Sequence, residues 1–269
     1  MNIKQAFRNI KNFLIKNKFL SQIIAFIYVL YNRFFLKHNI KIYKNNKYWI
    51  HKTSIGLIPS NKPILNPEDY VKQNFEIFFE KYTPKEKDVV IEFGSGIGCE
   101  TLYISKKIGE NGKIYAIEPF LKVFNYLQKT ISLNNLQNVK PINKALYRDS
   151  SGAGFESDLD YWLGGKINLF SQNKVQTVNL DMLIKTENIN QIDFCKINVE
   201  GAEKYITYNS DLFFNLCKNI AIECHDFMQE NEYKTFELVK KFLIQKGYNI
   251  SFSKRNEYPW DKYYIYGHK

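Results

Sequence analysis

The first 67 residues contain no aspartate and no glutamate, yet they hold twelve lysines and arginines. The residues that follow carry 26 basic and 27 acidic side chains, so the net charge of +11 belongs to the N-terminal quarter of the 269-residue chain. A charge placed this way speaks of partners rather than of fold. Cysteine is scarce, with only Cys99, Cys195, Cys217 and Cys224 and no C-x-x-C pair. Three of the four fall in or beside predicted strands, which reads as reduced core thiols and argues against a disulfide framework or a zinc ribbon. Long apolar runs are missing too. The run at residues 23–31 has nine members, whereas a spanning helix needs roughly 20. No small-residue cleavage site follows it, which argues against a secretory signal peptide. There is no internal repeat and no long low-complexity tract.

The basic segment is patterned. Ile3, Phe7, Ile10, Phe13 and Leu14 recur at three- and four-residue steps, with Lys4, Arg8 and Lys11 largely elsewhere, so residues 2–20 are predicted to form an amphipathic helix. Basic residues beside Phe, Tyr and Leu as far as residue 36 suit a helix lying on an anionic membrane face, which would put a cytoplasmic protein at the inner membrane surface. The same pattern suits a helix that caps the domain or makes a homo-oligomer contact. Nucleic acid is not the expected partner. Residues 40–43 and 47–51 flank Asn45-Asn46 and predict a hairpin. Pro59, Pro63 and Pro67 mark a linker. Residues 68–81 read as a helix ended by Thr83-Pro84. The expected division is an extension over 1–67 and a domain over 68–269.

Residues 88–119, DVVIEFGSGIGCETLYISKKIGENGKIYAIEP, carry the most information. An apolar strand (89–93) enters the turn Gly94-Ser95-Gly96-Ile97-Gly98, a helix follows, and a second apolar strand (113–117) ends in Glu118. This is the plan of a nucleotide-binding βαβ unit. Beyond it, residues 119–134 read as a helix, 139–143 as a strand, 148–172 as a polar surface excursion and 181–185 as a short helix. Strands are predicted at 192–199, 220–224, 248–252 and 263–266, with helices after Gly201-Ala202 and over 232–246. The alternation points to a mostly parallel α/β sheet with helices on both faces. Ligands in such sheets sit beyond the carboxyl ends of the strands. That gathers Gly94 to Gly98, Glu118, Asn143, Asn198 to Glu200, and Glu223 to His225 around one crevice.

Glu92 separates the candidate ligands. An acid two residues before the first glycine suits a cationic amino group, such as that of S-adenosylmethionine, and would repel a pyrophosphate. Gly96 and Gly98 admit the methionyl tail, the helix N-terminus attracts its carboxylate, and Glu118 takes both ribose hydroxyls. An NAD-dependent oxidoreductase is the rival on the same glycine pattern. Lys196 shares a strand face with Asn198, and a lysine in a buried strand needs a partner, here a nearby glutamate.

The runs VVIEFGSGIGCETLYIS, GKIYAIEPF, VFNYLQKTISLNNLQNVKPINKAL, LDMLI, DFCKINVEGAE and IAIECH occur in this order. With them the chain resembles the FkbM-type methyltransferases over about half its length. The resemblance implies a Rossmann-like, class I, seven-stranded methyltransferase fold, S-adenosylmethionine as donor, and O-methylation of a carbohydrate-like or other small-molecule acceptor. Carried over by motif, Glu92, Gly94, Ser95, Gly96 and Gly98 line the methionyl end, Glu118 the ribose, and Asn143 to Ala145 the adenine. One position departs from the pattern. The family reads K-[IV]-D-V-E-G where this chain has Lys196-Ile197-Asn198-Val199-Glu200-Gly201. Asn198 cannot act as a general base; if the position only orients cofactor or substrate, asparagine suffices. A non-catalytic binding subunit with the same fold is therefore a second rival.

Methyl transfer needs a positioned acceptor oxygen and a base for its proton. His225 is the leading base, with Glu223 two residues earlier on the same strand face to fix its tautomer. Glu200 and Glu203 are further candidates for base or sugar contact. A metal at Glu200, Glu223 and His225 is not expected, because no dense carboxylate cluster accompanies them. Tyr161 and Trp162 are candidates for stacking on the acceptor.

Overall fold

The computed structural model describes residues 18–34, 41–45, 48–64, 67–68, 76–156, 165–168, 171–228 and 230–269. The chain divides into two compact units, Met1–Lys72 and Gln73–Lys269. The first unit contains helix α1 (Lys18–Phe34) and an antiparallel sheet of β1 (Lys41–Asn45), β2 (Tyr48–Thr53) and β3 (Gly56–Ser60) in that order. The predicted hairpin is β1–β2, with Tyr43 opposite Ile50. The predicted linker begins with a third strand instead. Pro59 pairs opposite Ile50 and is tolerated because β3 is an edge strand, where a missing N–H breaks no ladder. Buried His51 ties this sheet together: its Nδ1 donates to the Ile58 carbonyl at 3.0 Å and its Nε2 accepts from the Ile64 N–H at 2.8 Å. Burial pushes its pKa down to about 4, against the Ile58 hydrogen bond, so the ring is neutral. The predicted helix over 2–20 lies outside the described residues except for 18–20, and so does half of the predicted helix over 68–81.

The second unit follows the predicted alternation. Its elements are β4 (Val89–Phe93), α2 (Cys99–Ile108), β5 (Lys113–Ile117), α3 (Leu121–Leu133), β6 (Val139–Ile142), β7 (Ala145–Leu146), β8 (Ala153–Glu156), β9 (Lys166–Ile167), β10 (Lys174–Val175), β11 (Thr177–Val178), α4 (Leu180–Glu187), β12 (Ile192–Ile197), α5 (Asp211–Leu216), β13 (Cys217–Glu223), α6 (Phe236–Gln245), β14 (Asn249–Phe252) and β15 (Tyr264–His268). Seven strands form one sheet in the order β14-β15-β13-β12-β4-β5-β6. The five from β13 to β6 run parallel, and β15 and β14 pair antiparallel. The expected seven-stranded, mostly parallel sheet is the sheet observed.

Local chemistry explains the departures. The excursion over 148–172 is partly built: β8 pairs with β9 and β10 and buries Ala153 and Phe155. Tyr161 and Trp162 lie outside the described residues. The predicted helix after Gly201 is a 3-10 segment, Ala202–Thr207. The six-residue α5, unpredicted from sequence, is held from α4, where the Asp181 carboxylate accepts the Phe213 N–H at 2.9 Å. All four cysteines are buried and unbridged.

Every residue of β12 is buried, as expected for a central strand covered on both faces. Its two charged residues, Asp193 and Lys196, therefore need partners. The Asp193 carboxylate accepts from the Val89 N–H of β4 (2.9 Å), from Lys218 Nζ of β13 (2.7 Å) and from Gln191 Nε2 (2.6 Å). Burial raises its pKa, but the Lys218 and Val89 bonds outweigh that and hold it below the ordinary carboxylate value. A folded-state pKa below the unfolded one gives stability that is present above about pH 4 and lost as pH falls through the folded value. Asp193→Ala is expected to lower the unfolding free energy by about 1–3 kcal/mol at neutral pH. Urea titrations of parent and variant should converge as the pH is lowered through the acid range.

Candidate active site

Strand order reverses at β4, which has β5 and β6 on one side and β12 and β13 on the other. A crevice opens at such a switch point, beyond the carboxyl ends of the strands. There β4 turns at Gly94 and β12 at Asn198. The N–H groups of Gly94 and Ser95 both donate to the Ile117 carbonyl at 3.0 Å, and the Asn198 N–H donates to the Phe93 carbonyl at 3.0 Å. Gly94 has φ +76°, and a Cβ there would lie 1.8 Å from the Asn198 carbonyl oxygen. Only glycine lets the two turns touch. At Gly96, with φ +54°, a Cβ would meet nothing within 4 Å, so the face above the turn is open.

Beneath the turn lies a buried ion cluster. Lys196 Nζ donates to the Gly94 carbonyl at 3.0 Å and stands 3.5 Å from both Glu92 Oε1 and Glu100 Oε1. Glu92 also accepts a hydrogen bond from the Thr101 hydroxyl. Burial opposes the Lys196 charge, but the Glu100 and Glu92 carboxylates outweigh it and raise the pKa of the ammonium. The glutamate partner expected for Lys196 is thus Glu92, its register partner on β4, with Glu100 joining from α2.

The crevice encloses about 760 Å³ of space, counting the solvent at its open mouth. Gly94, Gly96, Glu118, Ala145, Asn198 and Glu200 are on its wall, together with Phe120, Lys144 and Phe155. Glu118 Oε2 accepts from the Gly96 N–H and Oε1 from the Phe120 N–H, both at 3.0 Å. Burial pushes its pKa up to about 7 in spite of those two bonds. Asn143 stands behind this turn, its Nδ2 donating to the carbonyls of Glu118 (2.8 Å) and Pro119 (2.9 Å). Phe120 and Phe155 stack with centroids 6.0 Å apart. Asn198 Oδ1 is buried and has no hydrogen-bond partner.

Glu200 borders both this cleft and a smaller hollow lined by Lys166, Lys204, Tyr205 and Tyr233. Its backbone is left-handed, φ +51°. Glu200 Oε2 lies 3.4 Å from His225 Nε2, while His225 Nδ1 is 2.7 Å from Glu203 Oε1. Glu203 is fully buried and also accepts from the Gly201 N–H (3.1 Å) and the Thr235 hydroxyl (3.1 Å). Burial lowers the His225 pKa, but Glu203 and Glu200 together carry it well above the ordinary histidine value. The ring is an imidazolium between two carboxylates.

The sequence-named residues thus divide. Six are on the cleft wall, whereas Glu92, Ser95, Gly98, Asn143, Glu223 and His225 stand behind it. Glu92 faces Lys196. Ser95 Oγ donates to the Glu92 carbonyl at 3.1 Å. A Cβ on Gly98 would press on Leu127 and Thr130 of α3. The expected Glu223–His225 pair is replaced by Glu203–His225–Glu200, because β13 ends at Glu223 and strand alternation stops there. Glu223 is bonded to the Tyr264 hydroxyl, and burial pushes its pKa up to about 7 against the nearby His225 charge and that bond. Among the described residues no group of three or more His, Cys, Asp or Glu side chains is arranged to hold a metal ion. Lys144 falls in the span Asn143 to Ala145 expected at the adenine, whereas Phe120 and Phe155 were not among the expected site residues; the hint of Phe120 was an aromatic residue two places after the acid that ends β5.

A family model described as the methyltransferase FkbM domain matches residues 88–250, more than half of the chain. No curated protein matches. Among solved structures, a methyltransferase FkbM from Methylobacillus flagellatus is 14% identical, with a TM-score of 0.52 over 76% of this chain and 51% of that one. The chain thus spans about half the length of that protein. Aeropyrum pernix fibrillarin in complex with S-adenosyl-L-methionine is 14% identical, with a TM-score of 0.46 over 85% and 98% of the two chains. M. jannaschii TYW2 in complex with AdoMet is 18% identical, with a TM-score of 0.46 over 84% and 87%.

The cluster under the turn makes a sharp prediction. Lys196→Met leaves Glu92 and Glu100 without their counter-charge and is expected to destabilise the protein by about 3–5 kcal/mol. Combining it with Glu92→Gln should restore much of that loss. Chemical denaturation of the two variants beside the parent measures both.

Proposed function

The chain belongs to the FkbM methyltransferase family, whose donor is S-adenosylmethionine, and from that premise we propose that it methylates a hydroxyl of a carbohydrate-like acceptor. The cleft fits the donor on three counts. The face above Gly96 is open, an acid ends β5 at the rim, and Asn198 Oδ1 is a buried acceptor lacking a donor. In this reading Glu118 receives the ribose hydroxyls, Asn198 Oδ1 receives the methionyl ammonium, and Ala145 borders the adenine between apolar walls. Asparagine at position 198 keeps the acceptor oxygen that this contact needs and gives up only the charge.

Bound S-adenosylmethionine supplies an electrophilic methyl carbon. The protein's part is to hold the acceptor oxygen in line and to remove its proton. The observation that carries the assignment is the carboxylate of Glu200, on the cleft wall and oriented by His225. Glu200 takes the acceptor's proton. His225, the base expected from sequence, already holds a proton on each nitrogen and acts as a positioning residue. Its raised pKa makes the paired arrangement stable below about pH 6.5, the stability being lost as pH rises through the folded-state value. Glu203, fixed by Thr235 and the Gly201 N–H, anchors the ring. Tyr205, half-buried beside Glu200, carries an aromatic ring of the kind that stacks on sugars.

Glu200→Gln is expected to lower kcat by roughly 10²–10⁴-fold while the donor's Kd, measured by calorimetry, stays unchanged. Asn198→Ala should weaken donor binding by one hydrogen bond to a charged group, about 1.5–3 kcal/mol or ten- to hundredfold. Absence of any binding heat in the parent would overturn the proposal. The acceptor class is tested with a donor labelled in its methyl group and a panel of sugars and sugar conjugates. Label on a hydroxyl oxygen is the expected result; label on nitrogen, or none on any sugar, counts against it.

A further inference from the structure

Helix α1 turns several of its large apolar residues outward. At 3.6 residues per turn Ile23, Phe26, Ile27 and Phe34 share one side, and they are 38%, 63%, 58% and 70% exposed. Ala25, on the opposite side, is buried, and the helix packs on β1. A surface helix ordinarily turns its apolar stripe to the core, whereas this one leaves a second apolar side in solvent. A contiguous exposed apolar face of this kind marks a docking surface.

Charge selects the occupant. The first 67 residues carry twelve Lys and Arg and no acid. A second copy would bring the same unbalanced positive charge and be repelled. A lipid surface with anionic headgroups answers both features, since it offers acyl chains to the aromatic side chains and negative charge to the lysines. The helix has 17 residues, about 25 Å of length, and no described helix is long and apolar enough to cross a membrane. We propose that the N-terminal unit docks on an anionic lipid surface, with α1 lying in the plane of the headgroups and Phe26, Ile27 and Phe34 inserted. This rests on the first unit alone and does not depend on the acceptor or on methyl transfer.

The test is co-sedimentation of the full chain with vesicles of phosphatidylglycerol and, separately, of phosphatidylcholine. Strong partitioning to the first, little to the second, and weakening by added salt are expected. The triple variant Phe26→Gln, Ile27→Gln, Phe34→Gln should lower the partition coefficient by about tenfold or more. These side chains are exposed, so its circular dichroism and unfolding midpoint should match the parent. Equal binding to both vesicles, no binding to either, or a triple variant that binds like the parent would overturn the proposal. So would a parent dimer, seen by light scattering, that the triple variant dissociates, because the face would then be occupied by a second copy.

Discussion

Two backbone turns touch at the switch point of the sheet, and the rest of the candidate site depends on that contact. The turn after β4 lies against the turn after β12 so closely that no side-chain carbon fits between Gly94 and the Asn198 carbonyl. Lys196 locks the contact from below by donating to the Gly94 carbonyl while its charge is met by Glu92 and Glu100. A buried ammonium with three oxygen partners is a rigid support, because loss of any one leaves charge or a polar group stranded in a dry interior. The cleft floor therefore has little freedom to sag, and the groups above it inherit that rigidity.

The acids around the cleft are kept apart by giving each its own partner. Glu92 faces Lys196, Glu118 binds two backbone N–H groups, Glu203 binds His225 and Thr235, and Glu223 is bonded to Tyr264. Glu200 alone among them combines a charged partner with a place on the cleft wall. Its left-handed backbone is a conformation that side-chain-bearing residues adopt sparingly. That cost is borne where the carboxylate has to face an open crevice rather than continue the line of β12.

Charge and fold are divided between the two units in the same way. The second unit is nearly balanced in charge and carries the crevice. The first holds thirteen Lys and Arg against only two acids, Glu68 and Asp69, and presents aromatic residues to solvent. A balanced surface suits a site that must admit a charged donor, whereas an unbalanced one gains from a partner of opposite sign.

The alternation of apolar runs and helical periods was legible in the chain, and so were the glycine turn, the acid at the end of β5 and the need of Lys196 for a glutamate. These are local features, governed by backbone sterics and by the cost of burying charge, and a short stretch of sequence contains all the information they require. Three things were not legible locally. Pro59 masked an edge strand, since its tolerance depends on which neighbours a strand lacks. Glu92 looked like a ligand group because nothing in its own segment reveals that residue 196 lies beside it. His225 looked like a base paired with Glu223, and only packing between the turn after β12 and the end of β13 brought Glu203 and Glu200 to its two nitrogens. The sequence alone determined the kinds of element and the chemistry available at their ends. Tertiary structure decided which of those groups meet, because contacts between residues far apart in the chain are set by strand order and by where each strand stops.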